Sequence, residues 1–212
     1  MTAQALMTLV QWLSPAFPTG GFAYSHGMEQ VISDGGIASG AELAAWLSDV
    51  LRFGAGRQDA VLLAAALRAG ADHAGLAALA VALQPSAERL RETAEQGAAF
   101  ARAVGALAGR ESVAYPLPVA VGAAAAGLGL PAAQVIALYL HGFASNLVSV
   151  AVRFVPLGQN DGQAALASLH PLIDALAHEA AGLGVEDITT AAFGADLAAM
   201  RHETMDVRIF KT

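Results

Sequence analysis

The sequence predicts an all-α protein, with residues 1–212 forming a single-domain bundle of roughly eight to ten helices. Apolar residues recur at helical spacing, and no segment keeps the strict alternation that is typical of a strand. Ser39 and Glu42 resemble a capping box, which marks the start of a helix. Pro118 and Pro131 open two apolar segments, at the position where a first-turn proline is tolerated. These three observations favour helices throughout.

The helices can be placed in order from their start and stop signals. The pattern predicts helices over 5–13, 24–33, 39–53, 59–68, 73–83 and 86–109, then the two helices opened by proline, one helix from residue 161 and a last one over 191–205.

The C-terminal segment has little helical support. Residues 204–212 are therefore expected to form a flexible tail that becomes ordered against a partner. Phe210 lies between the cations Arg208 and Lys211, and an aromatic anchor flanked by cations is typical of a binding segment.

Composition excludes several classes of function. The chain has no cysteine, which removes disulfides and thiolate metal sites and suits a reducing, cytoplasmic location. Acidic residues outnumber Lys and Arg by 18 to 11, for a net charge of −7. Neither nucleic acid nor an anionic membrane surface is a favourable partner for such a protein.

One long segment is apolar enough to raise the question of a membrane. No Asp, Glu, Lys or Arg occurs between Glu111 and Arg153, a length that could hold two spans. Prolines, glycines and polar residues interrupt the segment, and alanine, which favours insertion only weakly, dominates it. Two helices buried in a soluble core, or in a large interface, explain it better than an integral membrane protein does.

The most specific motif is the loop at residues 13–29. Pro15 and Pro18 fix the backbone, and Gly20 and Gly21 permit conformations that other residues avoid. The sequence therefore predicts a defined, aromatic-rich loop that includes Tyr24. Loop packing alone does not require the carboxylate of Glu29, which makes this residue a candidate for function.

Motifs for catalysis and for metal binding are weak. The chain has no His-Glu-x-x-His, no phosphate-binding Gly-x4-Gly-Lys-Ser/Thr loop and no Gly-x-Ser-x-Gly elbow. His170, Asp174 and His178 share one helical face, but the ends of this column are about 12 Å apart, too far for one ion. A solvated polar face is favoured there. His26 and Glu29 form another same-face pair, which would need a third ligand from elsewhere.

Four blocks, in order along the chain, resemble one family. The first is the loop motif, the second begins at Tyr115-Pro, the third covers 144–163, and the fourth is His202-Glu203 with the ending 208–212. Together these blocks resemble the UreF family of urease accessory proteins, whose loop signature is occupied here by Ser14, Pro18, Gly20, Phe22, Ser25, Gly27 and Glu29. Lys211 and Thr212 depart mildly from the Arg and Ser that are common in the family.

The resemblance implies an all-helical, non-enzymatic protein of urease maturation. Its expected partners are UreD (also called UreH), the GTPase UreG, the urease apoprotein and a second copy of itself. No cofactor is expected, and nickel would be present only in transit through the assembled complex. The residues expected to bind partners are Tyr24, Glu29, Arg153, Arg208, Phe210 and Lys211.

Two further expectations remain open at this point. The homodimer is expected to form through the apolar middle helices, where Gly122 and the alanines after it permit close approach. The alternative function is a small helical enzyme or ligand carrier with a pocket around His26, Glu29 and Arg153.

Overall fold

The structure is a computed structural model, and it describes residues 2–109 and 111–212. These residues form eleven α-helices, three short 3-10 turns and no strand, which confirms the all-α prediction. The helices are α1 (Ala3–Trp12), α2 (Met28–Ser33), α3 (Gly40–Phe53), α4 (Ala55–Leu67), α5 (His73–Ala82), α6 (Ala87–Ala108), α7 (Leu117–Ala125), α8 (Ala132–Phe154), α9 (Gln159–Ser168), α10 (His170–Gly182) and α11 (Phe193–His202).

Local signals account for most helix boundaries. The hydroxyl of Ser39 accepts a hydrogen bond from the amide of Glu42 at 3.2 Å, so α3 begins as the capping signal predicted. Pro171 lies in the first turn of α10, so α9 and α10 are two helices where the sequence predicted one helix from residue 161. This break gives one α-helix more than the sequence led us to expect.

The segment before α2 differs from the predicted helix. The sequence predicted a helix from Tyr24, whereas α2 begins at Met28. His26 and Gly27 have φ angles of 60° and 76°, in the left-handed region that a right-handed helix cannot include. The loop is therefore longer than predicted, and it brings His26 and Glu29 into the interior.

The core is built around α4 and α8. Helix α8 packs against α10, α9 and α4, while α4 also packs against α7 and α3. Leu63, Ile136, Leu140 and Leu147 on these helices are fully or almost fully buried. By length and composition, helix α8 is long and apolar enough to cross a membrane. Half of its most apolar 18-residue stretch is buried inside the protein, as expected for a core helix.

Part of the expected dimer contact is buried within the chain. Val121 and Gly122 on α7 are buried within the chain itself. A Cβ atom added at Gly122 would lie 2.6 Å from Cβ of Ala66 and 2.9 Å from the carbonyl oxygen of Leu63. Gly122 therefore serves the close packing of α7 against α4. Ala123 and Ala124 are partly exposed and Ala126 is exposed, so a dimer through this region stays a prediction.

We predict that Gly122→Ala lowers the free energy of unfolding by about 1–3 kcal/mol, because the added methyl group overpacks the α4–α7 contact. Gly127→Ala is the matched control, since a Cβ atom there meets nothing within 4 Å. Urea denaturation followed by circular dichroism measures both variants. Equal stability of the two variants would contradict the close packing of α7 on α4.

Candidate functional site: a buried carboxylate that holds the tail

Glu29 lies at the centre of the site although it is only 1% exposed. Its carboxylate accepts hydrogen bonds from the amide of Ile209 at 2.8 Å and from the amide of Phe210 at 2.9 Å. The carboxylate also contacts the imidazole of His202, whose Nε2 lies 3.0 Å from Oε2 of Glu29. A buried carboxylate is costly unless donors surround it, and these three groups supply them.

A chain of charged groups continues from His202 to the surface. Nδ1 of His202 lies 2.7 Å from the carboxylate of Glu88, which is also buried. The other oxygen of Glu88 accepts a hydrogen bond from Nη1 of Arg208 at 2.6 Å. Both ring nitrogens of His202 therefore lie within hydrogen-bond distance of a buried carboxylate.

The end of the tail is held by a second set of contacts. The amide of Lys211 donates to the carbonyl of Ala23 at 2.8 Å, and the amide of Ser25 donates to the carbonyl of Thr212 at 2.8 Å. The hydroxyl of Thr212 donates to Glu92 at 2.9 Å. Phe210 and Thr212 are buried as a result.

Residues 205–212, here called the tail segment, are therefore docked, whereas the sequence predicted a flexible tail over residues 204–212. The sequence of the tail segment gives little support for a helix, and the structure has no helix there. Its order comes from acceptors on the loop, α2 and α6, which lie far away along the chain. Hydrogen bonds to such distant groups leave no local pattern in the tail sequence.

The structure brings all six predicted site residues to this tail. Tyr24 donates to the carboxylate of Glu95, which also pairs with Nζ of Lys211 at 3.0 Å. These hydrogen bonds, first that from Tyr24 and then that from Lys211, lower the pKa of Glu95. Burial, reinforced by Glu95, raises the pKa of Tyr24. Lys211 also lies over the ring of Tyr24, at 5.3 Å from its centroid.

Arg153 lies on the outer side of the same tail. Its guanidinium lies 5.2 Å from the centroid of the Phe210 ring, and it donates to the carbonyl of Phe22 at 2.8 Å. Glu29 thus contacts the backbone of Phe210, and Arg153 contacts its ring. The two charged side chains do not pair with each other. Their partner-binding role stays a prediction.

Sequence reasoning missed a polar stripe on α6. Glu88, Arg89, Glu92 and Gln96 are all buried, although their spacing of three or four residues suggests a solvated helix face. Arg89 pairs with Glu92. Burial alone would raise the pKa of Glu92, but the charge of Arg89 lowers this pKa to about 2. The only signal of this stripe in the sequence is that Glu88 and Glu92 are four residues apart and therefore lie on the same face of α6.

A partly open pocket adjoins this stripe. It has a volume of about 90 Å³, and its lining includes Asp59, Arg89, Glu92 and Tyr139. The phenol of Tyr139 donates to Asp59 at 2.6 Å. Burial nevertheless raises the pKa of Asp59 to about 6, because desolvation outweighs the hydrogen bond. The interior is polar where α4, α6 and α8 meet.

The pocket of the alternative function is not assembled. His26 lines a second, smaller cavity beside Arg89, and burial lowers its pKa to about 4. Glu29 is enclosed by His202 and the tail amides, and Arg153 is exposed on the outer side of the tail. The three side chains thus face three different environments.

Metal binding has no obvious centre. Among the residues that the structure describes, no three His, Asp or Glu side chains are grouped so that they could hold a metal ion. Asp174 and His178 are exposed and pair with each other, at 3.5 Å between Oδ1 and Nδ1. This pair matches the solvated polar face that the sequence favoured.

The fold and the site define a class of protein: an all-helical chain in which a buried carboxylate holds the C-terminal segment. Comparison with known proteins identifies the family. A family model described as UreF matches residues 37–170, more than half of the chain. The chain belongs to the UreF family of urease accessory proteins, and its role is in urease maturation.

Three relatives, each named urease accessory protein UreF, illustrate the similarity. The protein of Cereibacter sphaeroides strain KD131 is 66% identical over 208 residues, which are 98% of this chain and 99% of the relative. That of Paracoccus denitrificans is 55% identical and covers 98% of this chain and 96% of its own. The protein of Roseobacter denitrificans is 48% identical, and the match covers 100% of this chain and 96% of the relative.

We predict that Glu29→Ala lowers the free energy of unfolding by about 3–5 kcal/mol, because His202 and two tail amides lose their acceptor. Glu29→Gln should lose less, since its carbonyl oxygen still accepts. Arg153→Ala, at an exposed position, should cost about 1 kcal/mol or less. Urea denaturation followed by circular dichroism measures all three. If Glu29→Ala were as stable as Arg153→Ala, the central role of the carboxylate would be wrong.

Proposed function

We propose that this protein is a non-enzymatic scaffold that bridges UreD (UreH) and the GTPase UreG during the insertion of nickel into the urease apoprotein. The observation that carries the proposal is membership of the UreF family, with named relatives that cover nearly the whole chain. The structure supports it with a surface suited to protein partners.

That surface, here called the tail face, combines exposed apolar side chains with cations. Phe22, Val207 and Ile209 are 65%, 79% and 69% exposed. Exposed apolar groups on an ordered backbone are typical of protein contacts. The cations of the tail face are Arg153, Arg208 and Lys211.

The charges of the tail face favour a partner with an acidic surface. The chain has only 11 Lys and Arg residues and a net charge of −7. Three of these cations lie on or beside the tail segment, where Arg208 pairs with Glu88 and Lys211 pairs with Glu95. Such local complementarity favours correct orientation and rapid association with a protein partner. We assign the tail itself to the contact with UreD.

Glu29 and Arg153 would then serve the partner surface in different ways. Glu29 fixes the backbone of Ile209 and Phe210 from the inside, and the side chain of Ile209 is left exposed at the surface. Arg153 contributes a cation at the surface, close to where we propose that UreG docks. In this proposal the internal contacts keep the surface ordered before the partners arrive.

Nickel in this proposal is cargo. The chain keeps no resident cofactor, and the ion passes only through the assembled complex. We further propose that the protein acts in the cytoplasm, binds neither nucleic acid nor membrane, and forms a homodimer. Its dimer contact must lie outside the buried α4–α7 contact.

We predict that the double variant Val207→Glu/Ile209→Glu loses co-purification with UreD by more than about tenfold, because two buried carboxylates would oppose a partly apolar contact. Its stability should change by less than about 0.5 kcal/mol, since both side chains are exposed. Val113→Glu, at a position that is 66% exposed but remote in sequence, is the matched control.

The same variants are then tested for activation of urease apoprotein by purified UreD, UreG, nickel and GTP. We expect the Val207→Glu/Ile209→Glu protein to fail and the Val113→Glu protein to behave as the unsubstituted chain. If the double variant still co-purified with UreD and supported activation, the assignment of the tail face would be overturned. If the unsubstituted chain bound neither UreD nor UreG, the scaffold proposal itself would fail.

A further inference from the structure

Two histidines far apart in sequence meet between α8 and α10. His141 lies in the middle of α8, and His170 is the first residue of α10. Their ring centroids are 5.4 Å apart, with an angle of 45° between the ring planes. These two helices pack closely along the core, so the backbone fixes the spacing of the two rings.

The separation of the rings matches a shared metal ion. With metal–nitrogen bonds of about 2.0–2.1 Å and a tetrahedral angle, two ligating imidazoles have centroids about 5 Å apart. The observed separation of 5.4 Å is close to this value. His170 is exposed and His141 is half-buried, so an ion can reach the rings from solvent.

We propose that His141 and His170 form a two-imidazole site for a divalent transition-metal ion of the Cu²⁺, Ni²⁺ and Zn²⁺ type. Water would fill the remaining coordination positions, so binding is exchangeable and weaker than at a site with three protein ligands. The site is independent of the scaffold function proposed above, since it depends only on the geometry of α8 and α10.

His170 had been placed in a column with Asp174 and His178, and the structure changes that assignment. His178 is engaged with its own helix, with Nδ1 2.9 Å from the main-chain oxygen of Asp174. His170 faces α8 instead. The relevant partner, His141, is 29 positions earlier in the chain, where no helical spacing could indicate it.

The test is titration of the tag-free protein with Cu²⁺, Ni²⁺ and Zn²⁺ in separate calorimetric experiments. We expect one ion per chain at this site, with Cu²⁺ bound most tightly of the three. His141→Gln and His170→Gln should each weaken binding by more than about tenfold, because a two-ligand site loses its chelate when either ligand is removed. His178→Gln is the matched control and should bind as the unsubstituted chain does.

A second measurement reports on the site directly. Substoichiometric Ni²⁺ or Cu²⁺ should broaden the imidazole NMR signals of His141 and His170 before those of the other four histidines. The proposal is overturned if either Gln variant keeps the original affinity, if His178→Gln loses it equally, or if all six histidine signals broaden together. Circular dichroism of each variant checks that the helices are intact.

Discussion

The burial of the Glu29 carboxylate is the constraint on which the rest of the site depends. A charge that is 1% exposed is stable only when donors replace the water it has lost. Those donors are His202 at the end of α11 and the amides of Ile209 and Phe210. A residue near the start of the chain therefore fixes the position of residues near its end, and the loop, α6 and the tail form one connected network.

This constraint links the interior to the surface. Because the backbone amides of Ile209 and Phe210 point inward to Glu29, the Phe210 ring packs inside and the Ile209 side chain is left in solvent. The side chain of Arg208, next to Ile209, donates a hydrogen bond to the buried carboxylate of Glu88. The tail face is therefore formed within the isolated chain, and a partner would meet ordered side chains at a smaller entropic cost than a disordered tail would impose.

The sequence predicted the helical fold well, because capping residues and first-turn prolines act locally: Ser39 and Pro118 mark helix starts in both sequence and structure. It also identified Glu29 as unusual. It could not identify Glu88 and His202 as its network, since those contacts span more than 100 residues. Small residues such as Gly122 permit close approach in a core and in an interface alike, so their pattern could not separate the two. These features depend on contacts between residues that are far apart in the chain, and local sequence patterns do not show such contacts.

Hydrogen exchange of individual tail amides in the isolated protein tests the central claim most directly. If Glu29 holds the tail in the absence of partners, the amides of Ile209 and Phe210 exchange many times more slowly than unstructured peptide amides do. The same slow exchange should extend to the amide of Lys211, which donates to Ala23. Exchange of all three amides at the rate of an unstructured peptide, while the amides of α8 remain protected, would contradict the account.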